Sequence, residues 1–116
     1  ENEMSAARYN LVIDQGSDFA VSMVIKEDGV VKDLSGFSAR AQMRSSKNST
    51  SVAATFTCTI ESPPTAGTIV MSLNAATSSA LTAGTFYYDM EVHTASDATV
   101  SRLIQGTVEV TREITR

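Results

Sequence analysis

Three times along this chain a Gly-Thr pair opens a run in which apolar and polar residues alternate. Gly67-Thr68 leads into Ile69, Met71 and Leu73; Gly84-Thr85 into Phe86, Tyr88, Met90 and Val92; Gly106-Thr107 into Val108 and Val110. Side chains of a strand point alternately to opposite faces, so a period of two marks a strand with one buried and one wet face. The pattern recurs through most of the chain, and no long apolar stripe of helical period competes with it. This constrains the chain to an all-β fold. The three pairs are unequally spaced, so they are not a tandem repeat.

The rest of the chain follows the same grammar. A first strand is expected over Tyr9 to Asp14, a turn at Gln15-Gly16-Ser17, and a second strand with Phe19, Val21, Met23 and Ile25 on one face. Asp28-Gly29 between Val24-Ile25 and Val30-Val31 predicts a tight hairpin turn of the primed type. Asp33-Leu34-Ser35-Gly36 predicts a further turn, followed by a strand with Phe37, Ala39, Ala41 and Met43 inward and Arg40, Gln42 and Arg44 outward. Ser45 to Ser51 is polar and Ser-rich, and reads as a mobile loop. Thr55, Thr57 and Thr59 alternate with Phe56, Cys58 and Ile60 up to the stop at Pro63-Pro64, and Ile69 to Leu73 forms the next strand.

Asn74 to Leu81 is the one helical candidate. Asn74 is a suitable cap, the segment is long enough for one or two turns, and Leu81 is placed to enter the core. Thr85 to His93 and Val100 to Ile114 then give a closing hairpin around Ser96-Asp97. The expected architecture is an immunoglobulin-like antiparallel β-sandwich of about seven to eight strands, with a short helical turn near 74–81. A small closed barrel is the alternative. No linker divides the chain, so residues 9–116 are expected to form a single sandwich domain behind a flexible N-terminal arm, 1–8. Met4 is a suitable native start, residues 1–3 then being appended.

Composition narrows the function classes. Apolar residues make up 42% and charged residues 19% of 116, enough to fill one core. A net charge of −4 argues against a nucleic-acid footprint, which would be basic. No apolar run is long enough to cross a bilayer, and no signal peptide is recognised. Cys58 is the single cysteine, so no internal disulfide or thiolate-rich zinc site can form; its place between Phe56 and Ile60 predicts a buried, inert thiol.

The candidate chemistries are few. Tyr87, Asp89, Glu91 and His93 share one strand face, and an Asp/Glu/His set at that spacing can converge on a metal. The chain has a single His, however, and a solvated strand face explains the same pattern. Asp14-Gln15-Gly16-Ser17-Asp18 resembles a calcium loop in composition but lacks the further oxygen ligands and the late Glu of such loops, and serves equally as a turn. Arg102, Arg112 and Arg116 read as outward positions and not as a nucleic-acid patch. No enzymatic constellation, metal or cofactor is expected.

Four segments in order, YNLVIDQGSD (9–18), DLSGFSARAQMR (33–44), LTAGTFYYDMEV (81–92) and RLIQGTVEVTREIT (102–115), carry a family resemblance. Together they resemble small virion proteins of tailed bacteriophages, including the N-terminal domain of baseplate upper proteins and short tail or neck proteins of marine cyanophages. The resemblance implies an immunoglobulin-like sandwich used for assembly in the virion, with no catalytic residues. Partners would be other virion proteins and further copies of the chain, without nucleic acid or membrane, and the protein would be made in the cytoplasm of the host bacterium. Unlike the baseplate proteins, this chain ends soon after its closing strand, as a stand-alone component would. Docking through sandwich edges, end loops and the N-terminal arm is expected, with Tyr9, Tyr87 and His93 as candidate interaction residues. The alternative function is a carbohydrate- or host-surface-binding module, poorly supplied with aromatics because the chain has no Trp.

Overall fold

The computed structural model describes residues 7–114. Ten strands follow one another: β1 (Ala7–Arg8), β2 (Leu11–Asp14), β3 (Phe19–Val24), β4 (Lys26–Glu27), β5 (Val30–Val31), β6 (Ser38–Arg44), β7 (Ala54–Ile60), β8 (Thr68–Leu73), β9 (Gly84–His93) and β10 (Val100–Thr111). Among the described residues one α-helix, α1 (Ala75–Ser79), sits between β8 and β9, with short 3-10 turns at Pro64–Ala66 and Ala95–Asp97. Eight strands form one curled sheet in the order β1-β10-β9-β6-β7-β8-β3, with β2 also on β10; β4 and β5 make a separate hairpin. The architecture is the all-β, immunoglobulin-like half-barrel that the alternation predicts. The sheet stays open, because its outer strands β3 and β1–β2 do not pair with each other.

The two layers are joined by β7. Its first residues pair with β6, Phe56 opposite Ala41 and Ala54 opposite Met43. From Thr57 onward the strand pairs instead with β8, Thr57 opposite Ser72 and Ile60 opposite Ile69. One strand therefore turns the corner between the layers. Between them lie Ile13, Met43, Ile69, Met71, Met90, Val92 and Val108, all essentially free of solvent contact, with Phe56 and Tyr88 packed edge to face. Burying each such side chain contributes about 1.5–3 kcal/mol.

Local chemistry sets the connections. Asp28 and Gly29 have φ of 54° and 79°, the left-handed pair of a type I′ turn. The Ser35 N–H donates to Asp33 Oδ1 at 2.9 Å, closing the turn before β6. Asn74 caps α1 by accepting from the Thr77 N–H at 2.8 Å, and Asp18 Oδ1 accepts from the Ala75 N–H at 2.8 Å. The fully buried Ser78 hydroxyl donates to the Ser17 carbonyl at 2.7 Å and accepts from the Gly16 N–H at 3.1 Å. These bonds tie α1 to the β2–β3 turn, and Leu81 enters the core behind it.

Three features depart from the sequence reading. The first strand is not continuous over Tyr9 to Asp14: β1 and β2 are separate and both run parallel to β10, Ala7 beside Ile104 and Leu11 beside Val108. Between them the Asn10 side chain takes over as acceptor from the Thr107 N–H at 3.0 Å. The last strand ends at Thr111 and not at Ile114, because β2 gives way to a turn; the Glu113 N–H bonds Gln15 Oε1 instead. A bulge at Leu103 shifts the β9–β10 register, so Arg102 faces outward opposite Glu91 while Ile104 faces inward opposite Met90. Of the expected arm, residues 1–6 lie outside the described residues, and Ala7–Arg8 is β1.

The Tyr88 hydroxyl donates to the Tyr9 carbonyl at 2.5 Å, holding the β1–β2 junction to the core. Burial, with a smaller effect of Tyr9, pushes the Tyr88 phenol well above its ordinary value of 10.0. The folded state thus keeps a proton that the unfolded chain releases, so this stabilisation is complete below about pH 10 and lost as pH rises further. Thermal unfolding followed from pH 8 to 11 is expected to show a loss of Tm above about pH 10, and Tyr88→Phe should flatten that loss.

Candidate functional site

The wet face of β9 carries Thr85, Tyr87, Asp89, Glu91 and His93, the residues between its inward Phe86, Tyr88, Met90 and Val92. Neighbouring strands add their outward side chains in register. Arg40, Gln42 and Arg44 of β6 stand opposite Glu91, Asp89 and Tyr87. On the other side Arg102, Gln105 and Thr107 of β10 stand opposite the same three residues, and Arg8 of β1 lies beside Gln105. The result is a ladder of polar rows crossing the sheet.

Most carboxylates in this ladder are taken. Arg40 Nε lies 2.5 Å from Glu91 Oε1, and its Nη1 3.4 Å from Asp97 Oδ1. The bond to Glu91 raises the Arg40 guanidinium above its ordinary value, fixing its charge. Arg102 Nε lies 3.2 Å from Asp89 Oδ2, and His93 Nδ1 lies 3.3 Å from Asp97 Oδ1. Exposed pairs of this kind are screened by solvent, so they orient side chains more than they hold the fold.

Three cations on the same face have no carboxylate partner among the described residues. Arg44 meets only neutral acceptors, Ser49 O at 3.3 Å and Gln42 Oε1 at 3.0 Å. Lys47 sits over the Tyr87 ring, 5.7 Å from its centre. Arg8 is exposed at the strand edge. Together with Arg40 and Arg102 they line a groove of about 760 Å³ with Tyr87 and Asp89 in its wall. Most of the molecule's nine Lys and Arg residues therefore gather on one face of a protein with net charge −4.

Of the residues expected to mediate contact, Tyr87 belongs to this groove. His93 shares its strand face six residues on, roughly 20 Å away, beside Asp97. Tyr9 is exposed at the β1–β2 junction and does not line the groove. The metal pattern Asp89–Glu91–His93 is drawn apart by Arg102, Arg40 and Asp97, and no group of three or more His, Cys, Asp or Glu among the described residues is placed to hold a metal ion. The calcium-like turn is likewise divided: Asp14 Oδ1 accepts from the Thr111 hydroxyl, and Asp18 serves α1.

Cys58 is half-buried on β7, and burial pushes its thiol up to about 11. It stays protonated at neutral pH and is a poor nucleophile there. The sequence alone does not bring Arg8, Arg44 and Lys47 together, since Arg8 lies far from the other two along the chain. The one local signal was the outward Arg40-x-Gln42-x-Arg44 alternation.

A family profile described as "LtfC-like, beta-sandwich domain" matches residues 5–111, nearly the whole chain. No curated protein sequence matches it. Among solved structures, the cysteine protease inhibitor EhICP2 from Entamoeba histolytica is similar at 14% identity and a TM-score of 0.48, over 92% of this chain and 88% of that one. InlP from Listeria monocytogenes is similar at 14% identity and a TM-score of 0.48, over 91% of this chain and 28% of its own.

Proposed function

The chain belongs to the LtfC-like family of β-sandwich domains, and from that premise we propose that it is a non-catalytic docking module of a tailed-phage particle. In this reading residues 9–116 act as a single sandwich unit in the baseplate, tail or neck of the virion. It holds virion proteins, or further copies of itself, through the outer β6–β9–β10 face, the sheet edges and the N-terminal arm. The observation that carries the proposal is the outer face itself, a groove whose side chains are mutually aligned by ion pairs and which leaves Tyr87 and three cations available to a partner. Tyr9 and His93 lie at the rim of the same surface or beyond it, where neighbouring subunits would reach them. The glycan-binding alternative is less well supported, since Tyr87 is the one aromatic ring on the groove's open face and sugar sites stack on such rings.

Size-exclusion chromatography with light scattering, over a concentration series and with purified virion proteins, tests this reading. A defined oligomer or a stable complex is the expected result. A strict monomer that binds no virion protein would overturn it.

A further inference from the structure

We infer that the groove on the outer β6–β9–β10 face receives an extended, carboxylate-bearing segment of a partner protein. The inference rests on the docking reading above and names the chemistry of the partner. Arg44 and Arg8 stand on opposite sides of Tyr87, on strands three intervals apart (β6, β9, β10, β1). Neighbouring strands are about 4.8 Å apart, and Arg8 stands in the Asp89 row, two residues along from Arg44 in the Tyr87 row, so their backbones are separated by about 16 Å. Both could close on one small anion only with fully extended side chains, and Arg44 is instead bonded to Ser49 O and Gln42 Oε1. Two carboxylates at i and i+4 of an extended segment, about 13–14 Å apart and on the same side, fall within reach of both side chains.

The wall of the groove decides the class of anion. Asp89 and Glu91 lie in it, paired with Arg102 and Arg40 but still charged. They repel a ligand of dense charge, as does the net −4 of the whole chain. A segment with a few well-separated carboxylates meets Arg8, Arg44 and Lys47 while its intervening side chains lie over Tyr87. Guanidinium groups favour such partners because two N–H donors match the two oxygens of one carboxylate. Arg44 is partly oriented for this by Ser49 O and Gln42 Oε1.

Fluorescence anisotropy with a labelled synthetic peptide, glutamate at every fourth position and threonine between, tests the inference on the full chain. Binding is expected to weaken as salt rises and to vanish for the same peptide with glutamine in place of glutamate. The double variant Arg44→Glu/Lys47→Glu should bind at least about tenfold more weakly, with an unchanged melting temperature. Arg112→Glu, outside the groove, should bind as the parent does. Equal binding of the two peptides, no binding of either, or tighter binding of a single-stranded DNA oligonucleotide through Arg44 and Lys47 would overturn the inference. So would a homodimer that the double variant abolishes, which would make a second copy the occupant. If the peptide fails while a complex with a virion protein persists in size exclusion, the acidic segment falls and the docking reading stands; if both fail, both fall.

Discussion

Met90→Ala is expected to destabilise the protein by about 2–5 kcal/mol, a drop in Tm on the order of 10 °C or more. Met90 is fully buried on β9, the strand flanked by β6 and β10. Its cross-strand neighbours are Ala41 and Ile104. Ala41 is too small to fill the space that a lost thioether leaves, and the strands on both sides fix the β9 backbone, so the cavity cannot collapse. The cost is a transfer term plus an unrelaxed cavity. Chemical denaturation of the parent and the variant measures it, and an unchanged m-value would locate the loss in the folded state.

The second large effect is expected from a single added methyl group. Gly106 has ordinary strand geometry, but a Cβ there would run into the Tyr9 carbonyl and come within 2.9 Å of Asn10 Oδ1. Backbone cannot move aside as a side-chain end can. Gly106→Ala must therefore push the β1–β2 junction off β10, loosening three bonds at once: Tyr88 Oη to Tyr9 O, the Thr107 N–H to Asn10 Oδ1, and the Tyr9 N–H to Gln105 O. A loss of about 3 kcal/mol is expected, at the upper end for overpacking because polar groups are also left unpaired. Amide hydrogen exchange gives the location: Leu11 to Asp14 should lose protection while β3 and β8 keep theirs.

These two residues also show how much was legible in the sequence. Met90 sits in an unbroken alternation, Phe86 to Val92, and its burial follows from period two alone. The Asp28-Gly29 turn and the Asn74 cap were equally readable, since each is fixed by one or two residues and their own backbone. Gly106 reads only as the opening of an alternating run within the last strand, because its real constraint is a neighbour almost a hundred residues away. The same limit hid the parallel pairing of β1 and β2, the corner at β7 and the bulge at Leu103. Leu103-Ile104, two apolar residues in succession, was the only trace of the bulge. It matters for the site, since without it Arg102 would not stand opposite Glu91. The groove was illegible for the same reason: Arg8, Arg44 and Lys47 meet only through the register of four strands.

The parallel pairing at one sheet edge has a mechanical consequence. β1 and β2 run alongside β10 in a single register, from Ala7 beside Ile104 to Asp14 beside Thr111. A pull applied ahead of β1 and beyond β10 draws these strands past each other along their length. Every bond between them is then loaded in shear together, and none can be peeled open before the rest. The four residue pairs of β2 and β10, with the Tyr88 hydroxyl pinning the junction above them, form a clamp against tension along the chain.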